Sequence, residues 1–174
     1  MKKVLILLSL LALFSCTSYE LQVGQEQQYA SGSRTRISEN LYKIKDNVAI
    51  KEYVYSDINL SLSFYYKTTL RLQKYTNNEV VFSVPYFAFD QSRFFRGVLF
   101  SNGKETVKIN IDNLSRIEGF PNVYLTEKQI KGLESIFKSN LNVTARITSE
   151  KEDVDLYLTT KDKNDFLTVL KYKF

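Results

Sequence analysis

The sequence has no histidine, no tryptophan, one cysteine, one methionine and two prolines in 174 residues. Without histidine there is no Ser-His-Asp triad, no Cys-His pair and no histidine-ligated zinc, and the commonest general base is gone. A lone cysteine excludes a disulfide framework within the chain. Charge of one sign is also sparse. The formal charge is +5, of which Lys2 and Lys3 supply two, and the rest is dispersed. Nucleic-acid binding would show instead as a clustered basic stripe or a recognisable motif. The nearest thing to a phosphate-binding loop, Gly97 followed by Gly103-Lys104, has one residue too many in its gap and Glu105 where Ser or Thr is required.

What is present begins at the first residue. Met1-Lys2-Lys3 is a short positive patch, and Val4 to Phe14 is apolar except for Ser9. That run is too short for a permanent membrane helix, which needs roughly 20 apolar residues, and it has the form of an export signal. Leu13-Phe14-Ser15-Cys16 ends it, with an aliphatic residue three before the cysteine and a small one just before it. This resembles the lipobox of bacterial lipoproteins over residues 1–16. The resemblance implies cleavage between Ser15 and Cys16, diacylglycerol on the Cys16 sulfur and usually a third acyl chain, such as palmitate, on the new amine. Two or three chains are also what stable anchoring needs, since one chain holds only marginally at about 0.8 kcal/mol per buried CH₂. Thr17 stands where lipoproteins retained in the inner membrane often carry Asp. In a host with two membranes the resemblance therefore implies the outer one.

Three regions are expected. Residues 1–15 are the signal peptide, 16–40 a lipidated N-terminus and flexible tether, and 41–174 a single β-rich domain large enough to own a core. The tether is polar, with Gln25, Gln27, Gln28 and the run Ser31-Gly32-Ser33-Arg34-Thr35-Arg36. Arg34 and Arg36 are read as parts of a solvated linker, contact with anionic lipid being the alternative. Leu21 and Val23 could instead add an edge strand.

Beyond residue 41 apolar residues recur with period two, the mark of strands with one buried face. Val48 to Tyr55 is one strand. Ile58, Leu60, Leu62, Phe64, Tyr66, Leu70 and Leu72 share a parity and predict one long strand, or two joined by a bend near Thr68. Thr76-Asn77-Asn78-Glu79 turns the chain into Val80 to Phe89. Asn102-Gly103, between Phe94–Ser101 and Lys104–Ile111, predicts a hairpin with a two-residue type I′ turn. Thr126 and Gln129 form a capping box ahead of Ile130, Leu133, Ile136 and Phe137, so one amphipathic helix spans about 127–139. Three further strands are expected around Leu141–Ile147, Val154–Leu158 and Phe166–Phe174. The predicted fold is mainly β (α+β): an antiparallel sandwich or partly open barrel of about eight strands, with one helix across a face or mouth.

Few residues point to chemistry. Glu150, Glu152, Asp153, Asp155, Asp162 and Asp165 include paired carboxylates, but Lys151, Lys161 and Lys163 interleave them and no glycine supports a calcium loop, so they read as solvated hairpin tips. No catalytic residue, metal or cofactor is expected. The most unusual segment runs from Tyr86 to Arg96. Phe87, Phe89, Arg93, Phe94, Phe95 and Arg96 form a candidate interaction patch, unless sheets and helix cover both faces. Tyr53, Tyr55, Tyr65 and Tyr66 carry the same ambiguity. The expected function is a membrane-anchored, non-catalytic interaction module for an envelope or extracellular protein or glycan. The alternative is a half-open barrel carrying lipid or another apolar ligand, which would enclose an apolar cavity of about 300 Å³ or more. An enzyme, the third reading, would need a carboxylate of strongly raised pKa in a cleft.

Overall fold

The computed structural model describes residues 26–29, 32–38, 41–47, 51–61, 67–88, 95–111, 122–149 and 153–174. Alternation along the chain produces two antiparallel sheets. The larger takes β1 (Glu26–Tyr29), β2 (Gly32–Arg36), β3 (Leu41–Asp46), β4 (Lys51–Ser61), β5 (Lys67–Tyr75), β6 (Val80–Ala88) and the two-residue β9 (Val123–Tyr124), in that spatial order. The smaller has β7 (Phe95–Ser101), β8 (Thr106–Asn110), β10 (Val143–Ser149) and β11 (Val154–Leu158), ordered β11-β10-β7-β8. Each sheet keeps two edge strands, so this is an open sandwich rather than a closed barrel.

The space between the sheets holds the core. Val54, Ile58, Leu60, Leu70, Leu72, Val80, Phe82 and Val84 of the larger sheet face Val98, Phe100, Ile109, Val143, Ala145, Ile147 and Leu156 of the smaller. Two helices close this space, α1 (Glu127–Lys138) and α2 (Thr160–Lys171). Phe100 is where all four layers meet: its ring lies edge-on to Phe82 of β6, Phe137 of α1 and Phe166 of α2, with centroids 5.9, 5.4 and 6.5 Å away. Burying each such side chain contributes about 1.5–3 kcal/mol, and edge-to-face contact adds to that.

The predicted capping box at Thr126 and Gln129 is present, and its helix covers Glu127–Lys138. The turn after β5 falls at Thr76 to Glu79, with Asn78 at φ 66°.

Several expectations need correction. Ile58–Leu72 is not one strand, nor does Thr68 mark a bend; Thr68 lies inside β5, which pairs back on β4 with Ile58 opposite Leu70. A hairpin whose paired residues share parity buries the same set as one long strand would, so periodicity could not separate the two. The Asn102-Gly103 hairpin exists, but its loop is four residues long. Only Gly103 has positive φ, and the Asn102 side chain accepts from the Lys104 and Glu105 amides. That side-chain turn replaces the two-residue type I′ turn. Gly97 lies inside β7, where a Cβ would stand 2.4 Å from the Ile109 carbonyl oxygen, so it serves close strand approach.

Phe166 to Phe174 is not a strand. Thr159 and Asp162 form a second capping box, and Lys163, Phe166, Val169 and Leu170 make the buried stripe of α2 at helical spacing. Finally, β1 and β2 fall within the stretch expected as a tether. Polar residues form strands there because the neighbouring β3 supplies main-chain partners, as in the pairing of Arg34 with Ile44.

Candidate aromatic and cationic face

Strand alternation places Tyr53, Tyr55 and Asp57 on the opposite side of β4 from Val54 and Ile58. Cross-strand register then gathers their companions. Tyr42 stands opposite Tyr55, Arg71 opposite Asp57, Tyr75 opposite Tyr53, and Arg34 one strand further out on β2. The outer face of the larger sheet is thus built from four strands, each contributing one to three long aromatic or charged side chains.

These side chains are organised. The Tyr42 and Tyr55 rings stack with centroids 5.2 Å apart, and Tyr53 lies 5.1 Å from Tyr75. The Arg34 guanidinium bridges the first pair, 3.9 Å from the Tyr42 centroid and 5.7 Å from that of Tyr55. Arg71 approaches the Tyr55 ring to 4.5 Å and holds Asp57 through two hydrogen bonds of 2.7 Å each. A cation over an aromatic ring is attracted by the ring quadrupole, by about 0.5–1 kcal/mol at exposed sites and more when desolvated. Towards β6 the face closes over, since Gln73, Val81 and Ser83 are buried. Its accessible part lies over β2 to β5, with the exposed Tyr124 of β9 beyond β6.

The electrostatics follow from this packing. Burial pushes the Tyr55 phenol up to about 12, against the opposing pull of Arg34 and Arg71. Burial also raises Tyr53 and Tyr75, so these rings are neutral hydroxyl donors at physiological pH. The hydrogen bond from Arg71 to Asp57 raises the arginine further, keeping it charged. Asp57 answers Arg71, but Arg34 has no such carboxylate among the described residues. Its Nε is enclosed and finds no acceptor among them.

The residues singled out from sequence fare differently. Cys16, Leu13, Phe14 and Ser15 lie outside the described residues, as do Phe89, Arg93, Phe94, Tyr65 and Tyr66. Phe87 pairs with Thr68 in the larger sheet, whereas Phe95 pairs with Ser149 in the smaller and Arg96 is exposed there. Hence the described members of the 87–96 patch are divided between two sheets. Among the acids, Asp155 pairs with Arg146, Asp162 caps α2 and Asp165 pairs with Lys161. Glu150 and Glu152 lie outside the described residues. Sequence reasoning missed Tyr42, Asp57, Arg71 and Tyr75. For Asp57, Arg71 and Tyr75 the signal was the polar parity of β4 and β5, which reads Tyr53, Tyr55, Asp57 and then Arg71, Tyr75.

Comparison with protein-family models, with curated proteins and with solved structures returns no match.

Proposed function

We propose that this chain is a bacterial envelope lipoprotein, anchored by lipid on Cys16, whose β-domain is a non-catalytic interaction module working through the outer face of its larger sheet. The observation that carries the reading is the bridged cluster of Arg34, Tyr42, Tyr55 and Arg71. It places large aromatic area and charged donors on one side of a rigid sheet, in a stable register. Tyrosine and arginine are the residues that contribute most where surfaces meet, because each combines apolar contact with a polar tip at modest entropy cost.

Among the described residues, the packing at the centre of the sandwich supports a module over a carrier. The centre of the sandwich, where an acyl chain would have to lie, is occupied by Phe82, Phe100, Phe137 and Phe166 packed ring to ring. An open cleft of about 330 Å³ is lined by Lys45, Asp46, Asn47, Lys51, Glu52 and Thr76, a polar set unsuited to lipid tails. Non-catalytic action is supported by the carboxylates: where a shift is resolved among the described residues, at Glu127 and Asp155, it is downward, each through a hydrogen bond to a cation. Organic extraction of the protein purified from its producing cell tests the choice. The module should yield no lipid beyond that covalently attached at Cys16. A stoichiometric extractable lipid would overturn it in favour of the carrier.

A further inference from the structure

The partner of the outer face follows from charge, composition and the length of chain before β1. Five cations lie on this face by register: Arg34 and Arg36 on β2, Lys51 on β4, and Lys67 and Arg71 on β5. Among the described residues two carboxylates stand against them, Asp46 and Asp57, the latter held by Arg71. The excess is positive and lies among tyrosines, the combination that suits a membrane interface, where phenol rings sit at headgroup level and arginines reach phosphates. Arg34 is the sharpest feature. Its guanidinium lies over two phenol rings with no carboxylate partner among the described residues, and an anionic oxygen is the partner its fork of donors suits.

Chain length selects the source of that oxygen. Nine residues lie between Cys16 and Glu26, ten steps along the chain that span at most roughly 35 Å when fully extended. Arg34 lies opposite Gln27 of β1 in the adjoining strand, one strand spacing of about 4.8 Å away. A lipid on Cys16 therefore keeps this end of the face within reach of the bilayer that holds it.

We infer that the outer face of the larger sheet rests on the anionic headgroups of that bilayer, with Arg34 donating to a lipid phosphate oxygen while Tyr42 and Tyr55 back the guanidinium. The anchor would hold the domain to the membrane and the face would set its orientation. This inference rests on the anchored-module reading, and its test does not use the anchor.

The test uses the chain from Thr17 with Cys16 absent; its core residues run from Ile37 to Tyr172 and are all retained. Co-sedimentation is measured with vesicles of phosphatidylcholine alone and with vesicles containing phosphatidylglycerol, at low and high salt. Arg34→Gln is compared with Lys131→Gln, a charge-matched change on α1. Circular dichroism checks that each variant keeps the native spectrum. Binding should require phosphatidylglycerol, weaken with salt, and fall about fivefold in Arg34→Gln, as expected for one cation near a charged surface, but not in Lys131→Gln. The salt and lipid dependence of the native chain gives an answer even if a variant misfolds. Equal binding to both vesicle types, no vesicle binding, or equal effects of the two substitutions would overturn the inference. So would titration with inorganic phosphate that saturates the site while vesicles stay unbound, which would assign it to a free anion. Failure here leaves the anchor untouched, and failure of Cys16 acylation leaves this result untouched.

Discussion

The ammonium group of Lys163 on α2 lies 3.2 Å from the main-chain oxygen of Ser139, the residue that caps the C-terminus of α1, and 3.0 Å from that of Leu141. A buried cation thus satisfies carbonyls that the end of α1 leaves without partners, and it sits at the negative end of that helix dipole. Lys74 of β5 does the same for α2, donating to Leu170 and Tyr172 at 2.9 and 3.0 Å. The two helices are fixed to one another and to the larger sheet by these two lysines, of which Lys163 reads from sequence as part of a solvated hairpin tip.

Replacing Lys163 by Met keeps the apolar stem and removes the donor. Hydrogen bonds from a charged group contribute about 1.5–3 kcal/mol, so Lys163→Met should lower stability by that order in urea unfolding. Lys171→Met, at an exposed position on the same helix, should change it by less than about 0.5 kcal/mol. Equal effects would show that the bridge contributes nothing.

Ser56 predicts the opposite sign. It sits fully buried between Val54 and Ile58, on the core side of β4, and its hydroxyl has no hydrogen-bond partner among the described residues. A buried unpaired hydroxyl is costly, so Ser56→Ala should raise the unfolding free energy by about 1 kcal/mol. A loss of stability in the same urea titration would mean that the hydroxyl is satisfied.

Alkaline titration reads the aromatic face. The Tyr55 phenol has a folded pKa of about 12 against an ordinary 10.0. A pKa raised on folding contributes stability that is intact below the unfolded value and is lost as pH rises through the folded one. Stability should therefore decline as pH climbs from about 10 towards 12, and phenolate absorbance should show a late-ionising class of tyrosines. Tyr55→Phe should shrink that class and flatten the decline. If all tyrosines ionise together near their ordinary value while the protein is still folded, the face is not packed as described.

Much of this architecture was legible because strand alternation and capping boxes are local. Thr126 with Gln129 announced α1, and the parity of Ile58, Leu60, Leu70 and Leu72 announced the inner face of β4 and β5. What failed was set by contacts distant in sequence or by competing local signals. Phe166, Leu170, Tyr172 and Phe174 share an even parity that imitates a strand, while the Thr159–Asp162 box and the i, i+3, i+4 set of Lys163, Phe166, Val169 and Leu170 define a helix. Arg34 reads as linker because the run Ser31 to Arg36 is polar throughout; its strand depends on pairing with β3. Its position over Tyr42 and Tyr55 depends on a register that no local pattern encodes.

Anchoring is the claim on which the functional account depends, and acyl labelling measures it directly. Cells producing the full chain are grown with labelled palmitate and compared with cells producing Cys16→Ala. The native protein should carry label and fractionate with membranes after signal cleavage, and the Cys16→Ala protein should carry none. Equal labelling and equal membrane partition of the two would contradict anchoring.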